Sequence, residues 1–155
     1  MRRTGRRSNC PINFALETFG DTWSLLIVRD IVFWGKRTYG DFLSSKEGIA
    51  TNILASRLAL LEERGILHKT PHPADKRKDV YALTEKGLDL IPMLLDMVAW
   101  GAKHDPRFDA LKKREFIAEI HNHREKTIEE IKCRVRNGGS VFSNVSNAAA
   151  KQPTE

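Results

Sequence analysis

The stretch that most narrows what this chain can fold into is 48–65, which runs GIATNILASRLALLEERG. Leu54, Leu58 and Leu61 recur at helical spacing and Gly65 supplies a stop, so the pattern predicts one amphipathic helix. Asn52, Ala55, Ser56 and Ala59 fall opposite the leucines. That leaves an outer face that is small and mostly uncharged, where a surface helix ordinarily carries Lys and Glu. Side chains of this size suit a helix that enters a groove. Glu62 and Glu63 fall at the far end, which keeps their repulsion of phosphate away from the N-terminal turn. A helix that only packs is the plain alternative at this point.

The residues after the helix decide between the two. Residues 66–70 form a strand candidate, 71–79 a polar loop and 80–83 a second strand, a hairpin with Lys76, Arg77 and Lys78 near its tip. A helix followed by a basic hairpin is a winged helix. The expected class is therefore mainly α (α+β): a winged helix-turn-helix with a two-stranded wing and additional dimerisation helices. The hairpin can lay its charges along phosphates while the helix occupies the major groove, dividing positioning from readout.

Upstream, 1–9 carries Arg2, Arg3, Arg6 and Arg7 among Thr, Gly and Ser, a composition expected to be disordered. Such an arm either reaches a minor groove or only aids solubility. Cys10-Pro11 opens a short helix through Phe19, with Ile12, Ala15, Leu16 and Phe19 on its apolar face, and Gly20 ends it. Asp21 or Thr22 caps a second helix, 23–34, apolar around most of its circumference and so central to the core. A turn at 35–37 and a short helix at 39–43 complete helix-turn-helix order, with Lys36 and Arg37 as candidate phosphate contacts.

After the hairpin, Thr84 caps a helix from Glu85 to about Lys103 that is apolar on nearly every side. One core cannot absorb all of it, so a second subunit is expected on the other side, with a kink at Pro92. A second long helix is expected from Phe108 to about Arg136, thinly apolar and in need of a partner surface. The division read from the sequence is a basic arm at 1–9, a winged helix-turn-helix domain at 10–104, a helical extension at 105–136 and a disordered tail at 137–155.

At 155 residues and a net charge of +6 the chain suits one domain with extensions and a polyanionic partner. No apolar run reaches the roughly 18 residues needed to span a bilayer, and no secretion signal is recognised, so a cytoplasmic protein without a membrane partner is expected. Cys10 and Cys133 make neither a disulfide framework nor a zinc set. His121 and His123 lie on different faces of their helix, and His68 and His72 flank the wing. No catalytic spacing and no phosphate-binding Gly loop is present, so neither an enzyme nor a metal or other cofactor is expected.

Cys10-Pro11, Gly20-Asp21-Thr22-Trp23-Ser24-Leu25-Leu26-Ile27-Val28-Arg29-Asp30, the run from Gly48 to Leu58, Tyr81-Ala82-Leu83-Thr84-Glu85-Lys86-Gly87 and Trp100-Gly101 occur in that order. Together they resemble the HxlR-type winged helix-turn-helix regulators, relatives of the MarR group, over about residues 10–104. The resemblance implies a bacterial or archaeal cytosolic homodimer binding operator DNA, usually as a repressor. It implies a recognition helix over about 51–64 and a wing around 71–79. The segment after Asp105 is longer than the usual family ending.

The resulting expectation is a sequence-specific, DNA-binding transcriptional regulator acting as a homodimer on a double-stranded inverted-repeat operator. Thr51, Asn52, Ala55, Ser56 and Arg57 would read bases. Lys36, Arg37, Lys69, Lys76, Arg77 and Lys78 would hold the backbone. Two alternatives stand beside it. One is a sensor responding to an oxidant, electrophile or small-molecule effector, with Cys10 at a helix N-terminus beside basic residues. The other is a winged-helix module that binds protein.

Overall fold

A computed structural model describes residues 5–108 and 114–142. Among them the order is α1 (Pro11–Phe19), α2 (Thr22–Trp34), α3 (Tyr39–Leu43), α4 (Thr51–Glu63), β1 (Leu67–Pro71), β2 (Asp79–Leu83), α5 (Glu85–Leu88), α6 (Ile91–His104), α7 (Arg114–Asn122) and α8 (Arg124–Arg136). This is the mainly helical winged helix-turn-helix that the sequence predicts.

The core is built around α2. Asp21 caps it by accepting the N–H groups of Trp23 and Ser24, each at 3.0 Å, and Gly35 ends it in the left-handed conformation, φ 69°. Val28, Ile31 and Val32 are wholly enclosed, and Leu54, Leu58 and Leu61 of α4 close over them. Each such side chain contributes roughly 1.5–3 kcal/mol by leaving water. A capping box between Thr38 and Asp41 starts α3, which packs on α4.

The wing is antiparallel, registered from Leu67 opposite Leu83 to Pro71 opposite Asp79. Only Leu67 of β1 is buried, whereas Tyr81 and Leu83 of β2 alternate inward, so the hairpin's far end projects from the body. A bridge from Thr38 to Val80 and an N–H···O bond from Tyr81 to the Arg37 carbonyl, 2.8 Å, tie the wing to the start of α3. No local pattern of residues announces this tie.

At the root of the wing the chain closes a tight junction. The Thr84 N–H donates to the Ile66 carbonyl at 3.0 Å, its hydroxyl donates to the Gly65 carbonyl, and the Lys86 ammonium donates to the Arg64 carbonyl at 2.7 Å. A Cβ at position 87 would lie 2.3 Å from the Ile66 carbonyl oxygen, so glycine is required there by close approach.

Three expectations are corrected. The helix drawn from Glu85 to about Lys103 is two, α5 and α6, separated at Asp89 and Leu90. Pro92 therefore lies in the first turn of α6, where its missing N–H costs nothing, and it does not kink a longer helix. The single helix drawn from Phe108 to about Arg136 is interrupted at His123, φ −134°, and α7 packs against α8. A single rod would leave its sparse apolar residues in water. Folded back, Ile120, Thr127, Ile131 and Val135 are buried, and α8 packs on α2, α5 and α6 of its own chain.

Finally, 137–142 does not leave the fold at Asn137. Val141 and Phe142 donate their N–H groups to the carbonyls of Val32 and Phe33, at 2.9 and 3.0 Å, acceptors that the end of α2 leaves without helical partners. Ser140 is buried against Gly35. The remainder of the expected tail, 143–155, and the first four residues of the expected arm lie outside the described residues.

Candidate nucleic-acid interface

The leucine stripe of α4 faces α2, which turns the opposite side outward. Thr51, Asn52, Ala55, Ser56 and Ala59 are all exposed, while Leu54, Leu58 and Leu61 are buried. The Tyr39 hydroxyl donates to the Thr51 carbonyl at 2.8 Å and fixes the first turn of α4 against α3. No side chain caps α4 at Ala50, so the N–H groups of that turn are not consumed by a cap and suit an anionic oxygen.

Arg57 is not brought to this face. Its Nε lies 3.3 Å from Asp21 Oδ1, so it ties α4 to the N-cap of α2. Burial of Asp21 opposes its ionisation, but the Ser24 hydroxyl and N–H together with Arg57 outweigh that and hold its carboxyl below the usual range.

The six basic residues expected on the backbone divide into two groups. Lys76 and Lys78 are exposed near the wing tip and form no ion pair among the described residues. Arg77 is beside them, its side chain 90% exposed and 3.0 Å from Asp75. Lys69 lies between Glu62 and Asp79 at 3.8 and 4.0 Å. Lys36 and Arg37, in contrast, are engaged inside the protein. Lys36 Nζ donates to the Ser45 hydroxyl at 2.6 Å and lies 3.5 Å from Asp30. Arg37 is half-buried, which depresses its pKa, and it donates to the Gly139 carbonyl at 3.4 Å. A cleft of about 400 Å³ between α3 and the wing, lined in part by Thr38, Tyr39, Arg77 and Lys78, separates the two elements.

Sequence reasoning missed a charged network behind α4. Asp30, only 3% exposed, receives Arg29 Nε at 3.0 Å and Nη2 at 2.7 Å, and also accepts the Ser45 hydroxyl. Arg29 then grips Glu47 through Nη1 and Nη2, at 2.5 and 2.9 Å. The network joins α2 to the turn that leads into α4. The one signal in the sequence was a charged pair, Arg29-Asp30, inside an otherwise apolar helix.

Cys10 is exposed at the N-cap of α1, and Cys133 is exposed on α8; neither is in a disulfide. Nearby, the Arg6 guanidinium lies 4.5 Å over the Phe14 ring and the Arg7 N–H donates to Glu17. His72 Nδ1 accepts the Ala74 N–H and shapes the wing loop, while His68, His121 and His123 are exposed. No group of three or more His, Cys, Asp or Glu among the described residues is placed to hold a metal ion. None of the described helices is long and apolar enough to cross a membrane.

Comparison with known proteins gives consistent matches. A family model described as HxlR-like helix-turn-helix matches residues 18–109. An uncharacterized HTH-type transcriptional regulator of Mycobacterium tuberculosis is 39% identical over 93 residues, which are 60% of this chain and 58% of that relative, so the match leaves a substantial part of the relative uncovered. The crystal structure of PA1607, described as a transcription factor, superposes with a TM-score of 0.61 at 38% identity, covering 67% of this chain and 71% of that one. The redox regulator HypR in its oxidized form superposes at 0.55 with 30% identity, covering 61% of this chain and 97% of that one.

Proposed function

This chain belongs to the HxlR-like helix-turn-helix family, whose matched relatives are transcription regulators and not enzymes, and from that premise we propose that it is a homodimeric repressor binding an inverted-repeat operator. The observation that carries the reading is the outer face of α4, small, polar and exposed, on the same body as a wing tip whose Lys76 and Lys78 are free of ion pairs among the described residues. Asn52 and Ser56 hydrogen-bond base edges, Ala55 meets a thymine methyl, and Thr51 contacts the flanking base or phosphate. Lys76, Arg77 and Lys78 hold the backbone beside the groove. Arg57 sets the angle of α4 through Asp21, and Lys36 and Arg37 support the turn before it. Two copies related by a twofold axis place half-sites about one helical turn, roughly 10 bp, or a multiple apart.

Selection of bound duplexes from a random pool tests this directly. The wild-type protein is expected to enrich an inverted repeat, and Asn52→Ala to lose preference at particular positions, at a cost of about 1–3 kcal/mol. An Asn52→Ala protein that selects the same sequence with the same stringency would remove α4 from base readout.

The likeness to HypR supports a second reading, in which Cys10 senses oxidants. Its thiol is exposed at the N-cap of α1, a few residues after Arg6 and Arg7 in the sequence. Diamide is then expected to change the operator affinity of the wild type and leave Cys10→Ser unaffected. Equal responses of the two proteins count against it.

A further inference from the structure

A cavity of about 290 Å³ opens between α2, α6, α7 and the 137–142 segment. Phe33 and Trp34 at the end of α2, Val98 and Gly101 of α6, Phe116 and Phe142 form much of its wall. The rings form a cage. Phe33 meets Phe116 edge-on at 6.2 Å between centroids, Phe142 meets Phe116 edge-on at 5.9 Å, and Trp34 lies 5.0 Å from Phe142. Two charged side chains, Arg29 and Asp105, also line it, and both are engaged: Arg29 by Asp30 and Glu47, Asp105 by Arg107 at 3.1 Å. Phe116 and Phe142 lie beyond the residues matched to the family, 18–109, so the cavity is completed by residues outside the matched segment.

We propose that this cavity is a binding site for an uncharged, planar aromatic molecule of about two or three rings. A cavity walled by apolar side chains holds no well-bonded water that a ligand must replace. Ring faces and edges on several sides favour a flat aromatic guest in stacked or edge-on contact. The charges on the lining are already balanced. An acidic group entering here would lose its hydration beside Asp105 and find Arg29 neutralised, so an anion is selected against. Arg29 also grips Glu47, which precedes the N-cap of α4 by three residues, Gly48 to Ala50. Occupancy of the cavity is thereby connected to the helix that meets DNA, a consequence that rests on the regulator reading above.

The test titrates the full chain with phenylnaphthylamine, which is uncharged, and with anilinonaphthalene sulfonate, which has a similar ring system and a negative charge. Saturable binding of the neutral dye is expected, one per chain, with the sulfonate at least about tenfold weaker, a difference of ~1.4 kcal/mol. Gly101→Leu fills the cavity, since a Cβ there meets nothing within 4 Å, and Val98→Phe fills it from the preceding turn should the first variant fail to fold. Each is expected to weaken the neutral dye at least about tenfold. Lys126→Ala, on the exposed face of α8, is expected to leave it unchanged. Undiminished binding in the folded filled variants, equal binding of the two dyes, or loss through Lys126→Ala would each overturn the site. Operator binding by the same wild-type preparation is read separately. Its absence defeats the regulator reading and leaves the dye result standing, while an operator affinity identical with and without the dye overturns the connection through Arg29.

Discussion

Glu47 shows how much one side chain can hold at a joint. The Arg29 guanidinium donates to both of its oxygens and holds its carboxyl down at about 2, against an ordinary value of 4.5. A carboxyl depressed in the folded state contributes stability that is complete above its unfolded pKa and is lost as pH falls from about 4.5 towards 2. Because the Glu47 side chain is 38% exposed, solvent screening limits the gain to about 0.5–1 kcal/mol. Glu47→Gln is therefore expected to lower the urea midpoint near neutral pH and to show a shallower decline towards about pH 3 than the wild type. Parallel acid limbs for the two proteins would show that the pair contributes nothing to the fold. The same joint explains why Lys36 reads as a phosphate contact in the sequence and is an internal brace in the fold. Its basic charge is visible in the sequence, but the oxygens that engage it, on Asp30 and Ser45, are placed by the fold.

At the scale of elements, the wing separates charges that face solvent from charges that brace the body. Changing Lys76 and Lys78 to Gln together is expected to weaken binding to all sequences alike and to reduce the salt slope by about 0.9 for each phosphate no longer neutralised. Lys36→Gln is expected to leave that slope unaltered while lowering thermal stability; a slope that falls with Lys36→Gln and not with the wing pair would reverse the two assignments. Helix α4 and the wing are legible in the sequence because their signals are local. Leu54, Leu58 and Leu61 mark one face over a few turns, and the strands lie on either side of a short polar loop. The break before Ile91 was less legible, since apolar residues on every side of the segment mask it. The turn at His123 was hidden for another reason. It is favoured by what α7 and α8 bury against α2, α5 and α6, surfaces remote in sequence.

At the scale of the whole molecule, the apolar surface left over fits the second copy proposed above. Ile12 and Leu16 of α1 are 71% and 61% exposed, Trp100 of α6 is 69% exposed, and α1 buries only Thr18. Surface of this kind marks an association site. Leu16→Glu combined with Trp100→Glu is expected to shift sedimentation from dimer to monomer and to abolish binding to an inverted repeat, with weak binding to a single half-site retained. A double variant that still sediments as a dimer would move the interface elsewhere. The junction around Gly87 then gains a mechanical meaning. With no Cβ to hold the backbones apart, and with Thr84 and Lys86 latched onto residues 64–66, the far end of α4, the foot of the hairpin and α5 meet at a single axle. On the reading proposed above, torque applied at α5 would swing α4 and the wing in step, so that the spacing between two copies, more than the shape of either, would be the quantity left free to adjust.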